Sequence, residues 1–345
     1  MKPTKMYKKI LITGGAGYIG SHTVLAALEE GHDIAVIDNL STGIRSAVPD
    51  KVAFYEEDVA NSQRIIEIFQ GFQPDAVIHF AGSIVVPESI ENPIKYYNNN
   101  TVAAVNLIEA CLKTNTSNFI FSSTAAVYGI PDTDKVTERS AAKPINPYGH
   151  SKSMIEQILA DTATAHDFKY SALRYFNVAG ADKDLRTGQS TPNATHLIKV
   201  ACQSVLSQYP VMKVFGTDYD TPDGTCIRDF IHVSDLAQAH LKTLDYISRN
   251  KNSSIFNCGN GRGYSVKEIL DAVQRVSGVD LDIEFTDRRA GDPPVLIANP
   301  QALKDATGWT SQYNSIDEII SDALAWEKHL LDNFLESNDN KGYAT

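Results

Sequence analysis

A tyrosine and a lysine four residues apart are the side chains of this sequence best suited to move a proton. Tyr148 and Lys152 follow Pro147, which favours the first turn of a helix, so both lie on one face of that helix. A phenol with a pKa of about 10 is a weak base at neutral pH unless a nearby cation favours its ionised form. The Lys152 ammonium is such a cation. Because Tyr-x-x-x-Lys pairs also arise by chance on helices, the pair needs support from other residues.

Hydroxyl side chains stand just upstream of this pair, at the end of an apolar segment. Residues 118–123 predict a buried strand, and Ser122, Ser123 and Thr124 close it. Ligands of doubly wound sheets bind beyond the carboxyl ends of the strands. We therefore expect Thr124 to donate a hydrogen bond to a substrate oxygen beside Tyr148. For Ser122 and Ser123, capping of the strand end is an equally good interpretation.

A glycine-rich turn follows the first predicted strand, 8–13, and precedes a predicted helix, 18–31. Its glycines include Gly14, Gly17 and Gly20. Glycines allow such a turn to adopt restricted dihedral angles and let the backbone approach a pyrophosphate closely. The helix N-terminus then offers free N–H groups and a partial positive charge. The turn therefore predicts a dinucleotide site.

Two acidic residues extend this prediction to the adenosine half of the dinucleotide. Asp38 ends the next predicted strand, 33–38, and can accept hydrogen bonds from ribose hydroxyls while repelling a 2′-phosphate. No basic residue follows directly in Asn39-Leu40-Ser41, so NAD is favoured over NADP. Asp58 ends the predicted strand 52–58 and lies over the adenine edge or is simply a solvated strand end.

The order of the predicted elements indicates the fold. Strands and helices alternate as in βαβ units, which predicts an α/β Rossmann fold with a doubly wound parallel sheet. The predicted strands are 8–13, 33–38, 52–58, 76–82, 118–123 and 169–177, and the predicted helices are 18–31, 61–72, 92–114 and 147–167.

The second half of the chain has a different composition and a different pattern of predicted elements. Polar, turn-rich runs separate short predicted strands at 211–215 and 255–258 and predicted helices at 195–208, 233–248, 265–277 and 315–334. We predict an NAD-binding domain over 1–180. Residues 181–345 are predicted to form mainly a smaller α/β lobe for the substrate, with some chain crossing back to the first domain.

Composition excludes several other classes of protein. The 345 residues leave room for about two domains. A net charge of −11 provides no basic surface for nucleic acid. No apolar stretch of about 18 residues predicts a membrane span. The four cysteines are far apart, which argues against a disulfide framework and favours reduced thiols in the cytoplasm.

These motifs together resemble a known family. The glycine turn, His79-Phe80-Ala81-Gly82, the hydroxyl-rich strand end, the Tyr148/Lys152 pair and Arg174-Tyr175-Phe176-Asn177 are similar to the extended short-chain dehydrogenase/reductase superfamily. Within it, residues 214–236 and the run Arg288–Asp292 resemble the UDP-glucose 4-epimerases. The resemblance covers about residues 8–335.

The resemblance implies an isomerase with a retained NAD. It would invert C4 of a UDP-hexose, UDP-glucose or UDP-galactose, through a 4-keto sugar that receives the hydride back on its other face, a reaction of galactose metabolism. Tyr148 would take the 4-hydroxyl proton. Lys152 would lower the pKa of Tyr148 and bind the nicotinamide ribose, and Thr124 would hold the 4-oxygen.

The resemblance also implies two sets of binding residues. Cofactor contacts would come from Gly14, Gly17, Tyr18, Ile19, Gly20, Asp38, Asn39, Asp58, Val59, Phe80, Ala81, Gly82, Asn99, Ser122, Tyr148, Lys152, Tyr175 and Phe176. Substrate contacts would come from Thr124, Tyr148, Asn177, His196, Leu197, Phe215, Arg228, Arg289, Asp292 and Leu296.

Three positions depart from the family pattern. Ile84 replaces a frequent lysine near the cofactor phosphates, whose role would pass to other groups. His196 replaces a frequent asparagine on the diphosphate, where it would donate a hydrogen bond or merely pack. Leu296 replaces a bulkier tyrosine beside the sugar 2-substituent, so we hypothesise that UDP-GlcNAc and UDP-GalNAc are also accepted.

The sequence also bears on the related activities of this superfamily. Sugar-nucleotide dehydratases of the superfamily use an Asp-Glu pair where this chain has Ala125-Ala126, which argues against elimination of water. Epimerases of UDP-pentoses or UDP-glucuronate stay open, because the same core chemistry serves them. An NAD-sensing regulator without catalysis is disfavoured, since the tyrosine, lysine and threonine are all present.

The resemblance finally implies a homodimer. Members of the family commonly pair two helices from each subunit, and the predicted helices 92–114 and 147–167 could supply them. Two-fold dimers are also the commonest soluble homo-oligomers.

Overall fold

The structure, a computed structural model, describes residues 8–191, 194–207, 211–250, 252–289 and 292–339. Its strands are β1 (Lys9–Thr13), β2 (Asp33–Asp38), β3 (Ala53–Glu56), β4 (Ala76–His79), β5 (Asn118–Thr124), β6 (Lys135–Val136), β7 (Lys169–Tyr175), β8 (Asn177–Ala179), β9 (Met212–Phe215), β10 (Ile227–His232), β11 (Ser254–Cys258), β12 (Gly263–Ser265), β13 (Ile283–Thr286) and β14 (Val295–Ala298). Its α-helices are α1 (Tyr18–Glu29), α2 (Ser62–Phe72), α3 (Val86–Glu91), α4 (Pro93–Tyr96), α5 (Ala103–Lys113), α6 (Pro147–Ala165), α7 (Leu197–Val205), α8 (Val233–Asn250), α9 (Val266–Ser277), α10 (Gln301–Thr307) and α11 (Ile316–Asp339).

Seven parallel strands form the main sheet, in the spatial order β11-β7-β5-β4-β1-β2-β3. The inner strands are apolar and buried along nearly their whole length, as expected for a sheet covered on both faces. The chain runs outward from β1 in one direction and from β4 in the other. This reversal leaves a crevice at the carboxyl ends of β1 and β4, where doubly wound folds bind ligands. The predicted Rossmann fold is confirmed.

Helices cover the sheet on both faces. On one face, α2, α5 and α6 contribute Phe69, Leu107 and Leu159 to a single apolar cluster with the sheet. On the other face, α1 and α8 contribute Val24 and Leu241 to a second cluster. The helix α6, which carries Tyr148 and Lys152, is therefore fixed to the sheet by its buried face.

A second sheet lies in the other lobe. Its order is β12-β10-β14-β6, with β8 also paired to β10, and a separate pair joins β13 to β9. The helices α7, α9 and α11 share the apolar cluster of this lobe. The chain crosses the predicted boundary at residue 180 in both directions, because β11 and α8 join the first lobe while β6 pairs with β14. The division into 1–180 and 181–345 stays a prediction.

The predicted helix 92–114 is helical from Pro93 to Lys113, but it is not α-helical throughout. The structure has α4, a π-helical segment (Tyr97–Val102) and then α5. Three consecutive asparagines lie in that segment, and the Asn100 amide bonds to the backbone of Ser83 instead of facing solvent. π-Helical bulges are frequently found at functional sites.

Other predicted elements differ at their ends. The predicted strand 169–177 is two strands, β7 and β8, because Asn177 leaves the main sheet to pair with Phe230 of β10. The predicted strand 52–58 ends at Glu56, since Asp58 instead accepts a bond from the Ala60 N–H in a turn. Likewise the predicted strand 76–82 ends at His79.

Candidate active site

The end of β5 and the first turns of α6 bring the predicted proton-transfer groups together. Asn146 caps α6 by accepting a hydrogen bond from the Gly149 N–H at 2.8 Å, and Pro147 occupies the first turn. Because α6 begins at this point, Tyr148 and Lys152 lie on the helix face that meets β5. The Tyr148 phenol contacts the Thr124 hydroxyl, and the Lys152 amine donates to the Ser122 carbonyl oxygen at 3.0 Å.

Burial dominates the ionisation of this pair. Loss of solvent lowers the pKa of Lys152 to about 8, and it raises the pKa of Tyr148, with the Thr124 contact acting in the opposite direction. Lys152 does not contribute to the pKa shift of Tyr148 in this structure, and its expected lowering of that pKa stays a prediction. The Lys152 amine is instead held by the Ser122 carbonyl oxygen and lies 5.0 Å from the centre of the Phe121 ring.

Asn100 is a site residue that the sequence analysis missed. Its side chain accepts from the Ser83 N–H at 2.7 Å and donates to the Ser83 carbonyl and to the Ser151 hydroxyl, both at 3.0 Å. A Cβ added to Gly82 would lie 2.8 Å from the Asn100 amide oxygen and 3.9 Å from the Lys152 amine. The run Asn98-Asn99-Asn100 inside a predicted helix was the available signal, because asparagine is a poor helix former. Its neighbour Asn99, the predicted contact, donates to the Ser83 hydroxyl.

The glycine turn has the shape that a dinucleotide pyrophosphate requires. Gly14 has a φ of +70°, and a Cβ there would lie 2.6 Å from the Ala81 backbone nitrogen. A Cβ at Gly20 would lie 2.1 Å from the Gly14 carbonyl oxygen, so both positions need glycine. Gly17 is the N-cap residue of α1 and offers no side-chain cap, and the first turn of α1 has no acidic residue. The N-terminus of α1 can therefore receive an anion, and NAD fits this turn.

Asp38 and Asn39 lie at the end of β2, as predicted. The Asp38 carboxylate accepts hydrogen bonds from the Ala16 and Leu40 N–H groups, both at 2.9 Å, which joins it to the glycine turn. Burial raises the pKa of Asp38. Asn39 donates to Asp58 at 2.9 Å, so this predicted pair is close together, although Asp58 lies in a turn and not at a strand end.

The remaining predicted cofactor residues surround this crevice or support it. The Tyr175 and Ser122 hydroxyls are hydrogen-bonded to each other, and Phe80 packs against His240, which also contacts Tyr175. Several others lie in or beside apolar clusters: Tyr18, Ile19, Val59, Ala81 and Phe176. Val59 is buried in the core of the first lobe. Ile84 is 49% exposed.

Two arginines of the second lobe are held by partners predicted for the same ligand. The Arg289 guanidinium lies 3.7 Å from the centre of the Phe215 ring, and Arg228 lies 3.6 Å from the Asp292 carboxylate. Arg228 is the register partner of Leu296 in β14. A planar guanidinium can bond two phosphate oxygens at once, so this group suits a diphosphate.

Leu296 connects these arginines to the end of β5. Its side chain is buried with Ala125 and Val136, and Phe176 packs against the same cluster. Ala125 directly follows Thr124, so β14 lies beside the predicted proton-transfer groups. No carboxylate occupies positions 125 and 126, which fits the exclusion of a dehydratase.

Asn177, His196 and Leu197 line one cavity, together with Tyr18 of the glycine turn. Gln189 bonds to the imidazole of His196 within it. Burial and the nearby Lys199 ammonium lower the pKa of His196, so the ring is neutral at pH 7. The structure therefore places predicted cofactor and substrate residues on a shared wall.

No helix in the described part of the chain is long and apolar enough to cross a membrane. Nor do its histidine, cysteine and acidic side chains gather anywhere in a group able to hold a metal ion.

The fold and the glycine turn define a dinucleotide-binding protein, and comparison with known proteins identifies the family. A profile of the NAD dependent epimerase/dehydratase family matches residues 10–259. A UDP-glucose 4-epimerase of Azospirillum brasilense is 50% identical over 322 residues, covering 93% of this chain and 92% of that protein. The chain therefore belongs to the NAD-dependent epimerase/dehydratase family, and the predicted family resemblance is confirmed.

Solved structures agree with this assignment. UDP-glucose 4-epimerase from Brucella ovis in complex with NAD has a TM-score of 0.89 and 43% identity, covering 92% of this chain and 98% of that one. The UDP-Glc/GlcNAc 4-epimerase from Campylobacter jejuni has a TM-score of 0.82 and 50% identity, covering 93% and 99%.

The burial of Lys152 predicts a cost in stability. Because the pKa of Lys152 is lowered in the folded chain, the unfolded chain binds more protons at this group than the folded chain between pH values of about 8 and 10.5. The contribution of Lys152 to the free energy of unfolding therefore rises with pH in this range and is least favourable below about pH 8. Lys152→Met is expected to stabilise the nucleotide-free protein at pH 7 by about 1–3 kcal/mol. The gain should shrink toward pH 10.

Thermal unfolding of the nucleotide-free protein at several pH values measures this gain. Lys113→Met is the control, because Lys113 is exposed in a surface pair with Glu109 and should show no comparable change. A lower stability of Lys152→Met at pH 7 would mean that the bond to Ser122 outweighs the cost of burial.

Proposed function

We propose that this protein is an NAD-dependent epimerase that inverts C4 of a UDP-hexose and interconverts UDP-glucose and UDP-galactose. The observation that carries the proposal is the meeting of Thr124, Tyr148 and Lys152 at the carboxyl end of β5, beside a turn shaped for a pyrophosphate. Family membership over most of the chain supports the same activity. When bound, NAD supplies an acceptor and donor of hydride for C4.

Tyr148 is the proposed base and acid for the 4-hydroxyl. It takes the proton as the 4-keto sugar forms and returns it to the 4-oxygen after the sugar has presented its other face. Thr124 holds that oxygen, because its hydroxyl already contacts the phenol. Lys152 is charged at neutral pH and binds the nicotinamide ribose, held in position by the Ser122 carbonyl.

The phenol needs help to ionise, since burial raises its pKa. Within the protein, the contact with Thr124 lowers the pKa of Tyr148. The positive charge of the oxidised nicotinamide ring would act in the same direction. We therefore propose that Tyr148 becomes an effective base only in the complete site.

The UDP half would be held by the second lobe. Arg228 and Arg289 neutralise the diphosphate, and Phe215 offers a flat apolar face for the base. Asn177 and the neutral His196 supply hydrogen-bond donors from the wall of the shared cavity. These roles follow from charge, shape and position.

The width of the pocket at the sugar 2-substituent is proposed to depend on Leu296. Its side chain packs beside Ala125 and is smaller than a tyrosine. The Campylobacter jejuni relative carries both UDP-Glc and UDP-GlcNAc in its name. We keep acceptance of UDP-GlcNAc as a secondary proposal about substrate range.

We propose a homodimer formed through α5 and α6. The two helices pack into the same cluster of the first lobe, and apolar side chains lie exposed on this side: Ile94, Val102, Val105 and Met154. Such a group of exposed apolar residues is typical of a protein interface. A cytoplasmic location is also proposed, because all four cysteines are buried free thiols.

Turnover without added cofactor tests the function. Purified protein should interconvert UDP-galactose and UDP-glucose with no NAD added, release NAD on denaturation, and accumulate no stoichiometric NADH. UDP-GlcNAc is assayed in parallel. A requirement for free NAD with net NADH formation would indicate a dehydrogenase, and no turnover of UDP-GlcNAc would remove only the proposal for Leu296.

Loss of the Tyr148 hydroxyl should abolish most of the activity. Tyr148→Phe is expected to lower kcat by about 10²–10⁴-fold, the usual contribution of a positioned acid–base group. Steady-state kinetics with UDP-galactose measures the change, with bound NAD quantified in each preparation. Tyr246→Phe on α8 is the matched control and should leave kcat unchanged. Near-normal turnover by Tyr148→Phe would exclude Tyr148 as the base.

A charge on the exposed apolar side should separate the subunits. Val105→Asp and Met154→Glu are expected to shift the protein from dimer to monomer in sedimentation velocity, because a buried unpaired carboxylate is costly at an interface. Val279→Asp is the control, since Val279 is similarly exposed but follows α9 in the other lobe. Monomeric wild-type protein at micromolar concentration would contradict the proposed dimer.

A further inference from the structure

A buried ion pair lies directly behind the proposed proton-transfer groups. Glu156 follows Lys152 by one turn of α6, and its carboxylate accepts from the Arg174 guanidinium of β7 at 2.9 Å and 2.5 Å. Both side chains are only 6% exposed. The pair therefore fastens the middle of α6 to the main sheet.

The same carboxylate also fastens α6 to β5. The Ser123 hydroxyl donates to Glu156, and Ser123 is the register partner of Arg174 in the neighbouring strand. Ser123 stands between Ser122, whose carbonyl holds the Lys152 amine, and Thr124. A shift of Glu156 along the sheet would therefore change how α6 faces both of these residues.

Arg174 reaches the other side of the site through Tyr128. Its guanidinium donates to the Tyr128 hydroxyl at 3.0 Å, and that hydroxyl donates to the Asn257 amide oxygen at 2.6 Å. Tyr128 ends the short 3₁₀ turn (Ala125–Tyr128) that begins directly after Thr124. One guanidinium thus connects the helix of Tyr148 to the turn that follows Thr124.

A contribution to the stability of the fold does not by itself explain this buried ion pair. Buried ion pairs contribute little net stability, because removing both charges from water offsets their attraction, and apolar residues of similar volume often serve as well. What a fully bonded guanidinium and carboxylate do supply is a fixed geometry, since each bond has a preferred direction. Displacement of reacting groups by about 1 Å can cost about 10²-fold in rate.

We propose that Glu156, Arg174 and Tyr128 form a positioning network that holds Thr124, Tyr148 and Lys152 in their reactive arrangement. None of the three network side chains is proposed to touch substrate or cofactor. Their effect acts through the orientation of α6 and of the turn after Thr124. The inference rests on the proposed function, because that function defines which groups must be aligned.

Two variants test the network from its two ends. Glu156→Gln removes the charge that joins α6 to the sheet, and Tyr128→Phe removes a single hydroxyl with little change of volume. Each is expected to lower kcat by about 10–100-fold, while KM for UDP-galactose changes by less than about 3-fold. Bound NAD is quantified so that kcat refers to loaded enzyme. Tyr128→Phe remains informative if Glu156→Gln fails to fold.

Leu159→Ala is the control for a purely structural effect. Leu159 is fully buried on the same helix, one turn after Glu156. It should lower the Tm at least as much as the network variants while retaining most of kcat. Wild-type kcat in both network variants, or a loss no larger than that of Leu159→Ala at equal loss of Tm, would overturn the network proposal. Failure of wild-type enzyme to interconvert the sugars would instead overturn the proposed function.

Discussion

Burial of the Lys152 amine is the constraint on which the rest of the site depends. An ammonium in a dry environment is costly, and its lowered pKa is the sign of that cost. The structure offsets it with the Ser122 carbonyl oxygen and the Phe121 ring. Gly82 approaches the same amine, where a side chain would first strike Asn100. The π-helical segment around Asn100 is thus connected to the placement of Lys152, because the amide that excludes a Cβ at Gly82 comes from that segment.

The net charge of −11 sets a second constraint, because both proposed ligands are anions. Positive potential must be local. In the first lobe it comes from the N-terminus of α1, which has neither a side-chain cap nor an acidic residue in its first turn. In the second lobe it comes from Arg228 and Arg289, each held beside a side chain proposed for the same ligand. The acidic surface and the two anion sites are therefore compatible.

The sequence could predict those features that follow from local residue patterns. The strand ends, the glycine turn and the pairing of Tyr148 with Lys152 need only spacing, and the family resemblance supplied the second lobe. The bond between Glu156 and Arg174 could not be found in this way, since they are 18 positions apart and only the packing of α6 against β7 brings them together. The raised pKa of Tyr148 could not be predicted for a related reason, because burial is its main cause. Spacing shows that an ammonium is near, but burial and the direction of its hydrogen bond decide its effect.

Two buried ion pairs fix helices whose N-termini lie at the proposed site. The pair of Arg174 and Glu156 fixes α6, whose first turn carries Tyr148. The pair of Lys199 and Glu327 fixes α7, which begins directly after His196. The Lys199 amine also donates to the Gln189 carbonyl at 2.7 Å, and Gln189 bonds to His196. In each case the pair lies within about three turns of a helix N-terminus at which a ligand is proposed to bind. Apolar packing leaves a helix some freedom to slide and rotate, whereas directional bonds to a fixed strand or helix remove it. The two charged pairs are thus best explained by the accuracy with which these helix starts must be placed.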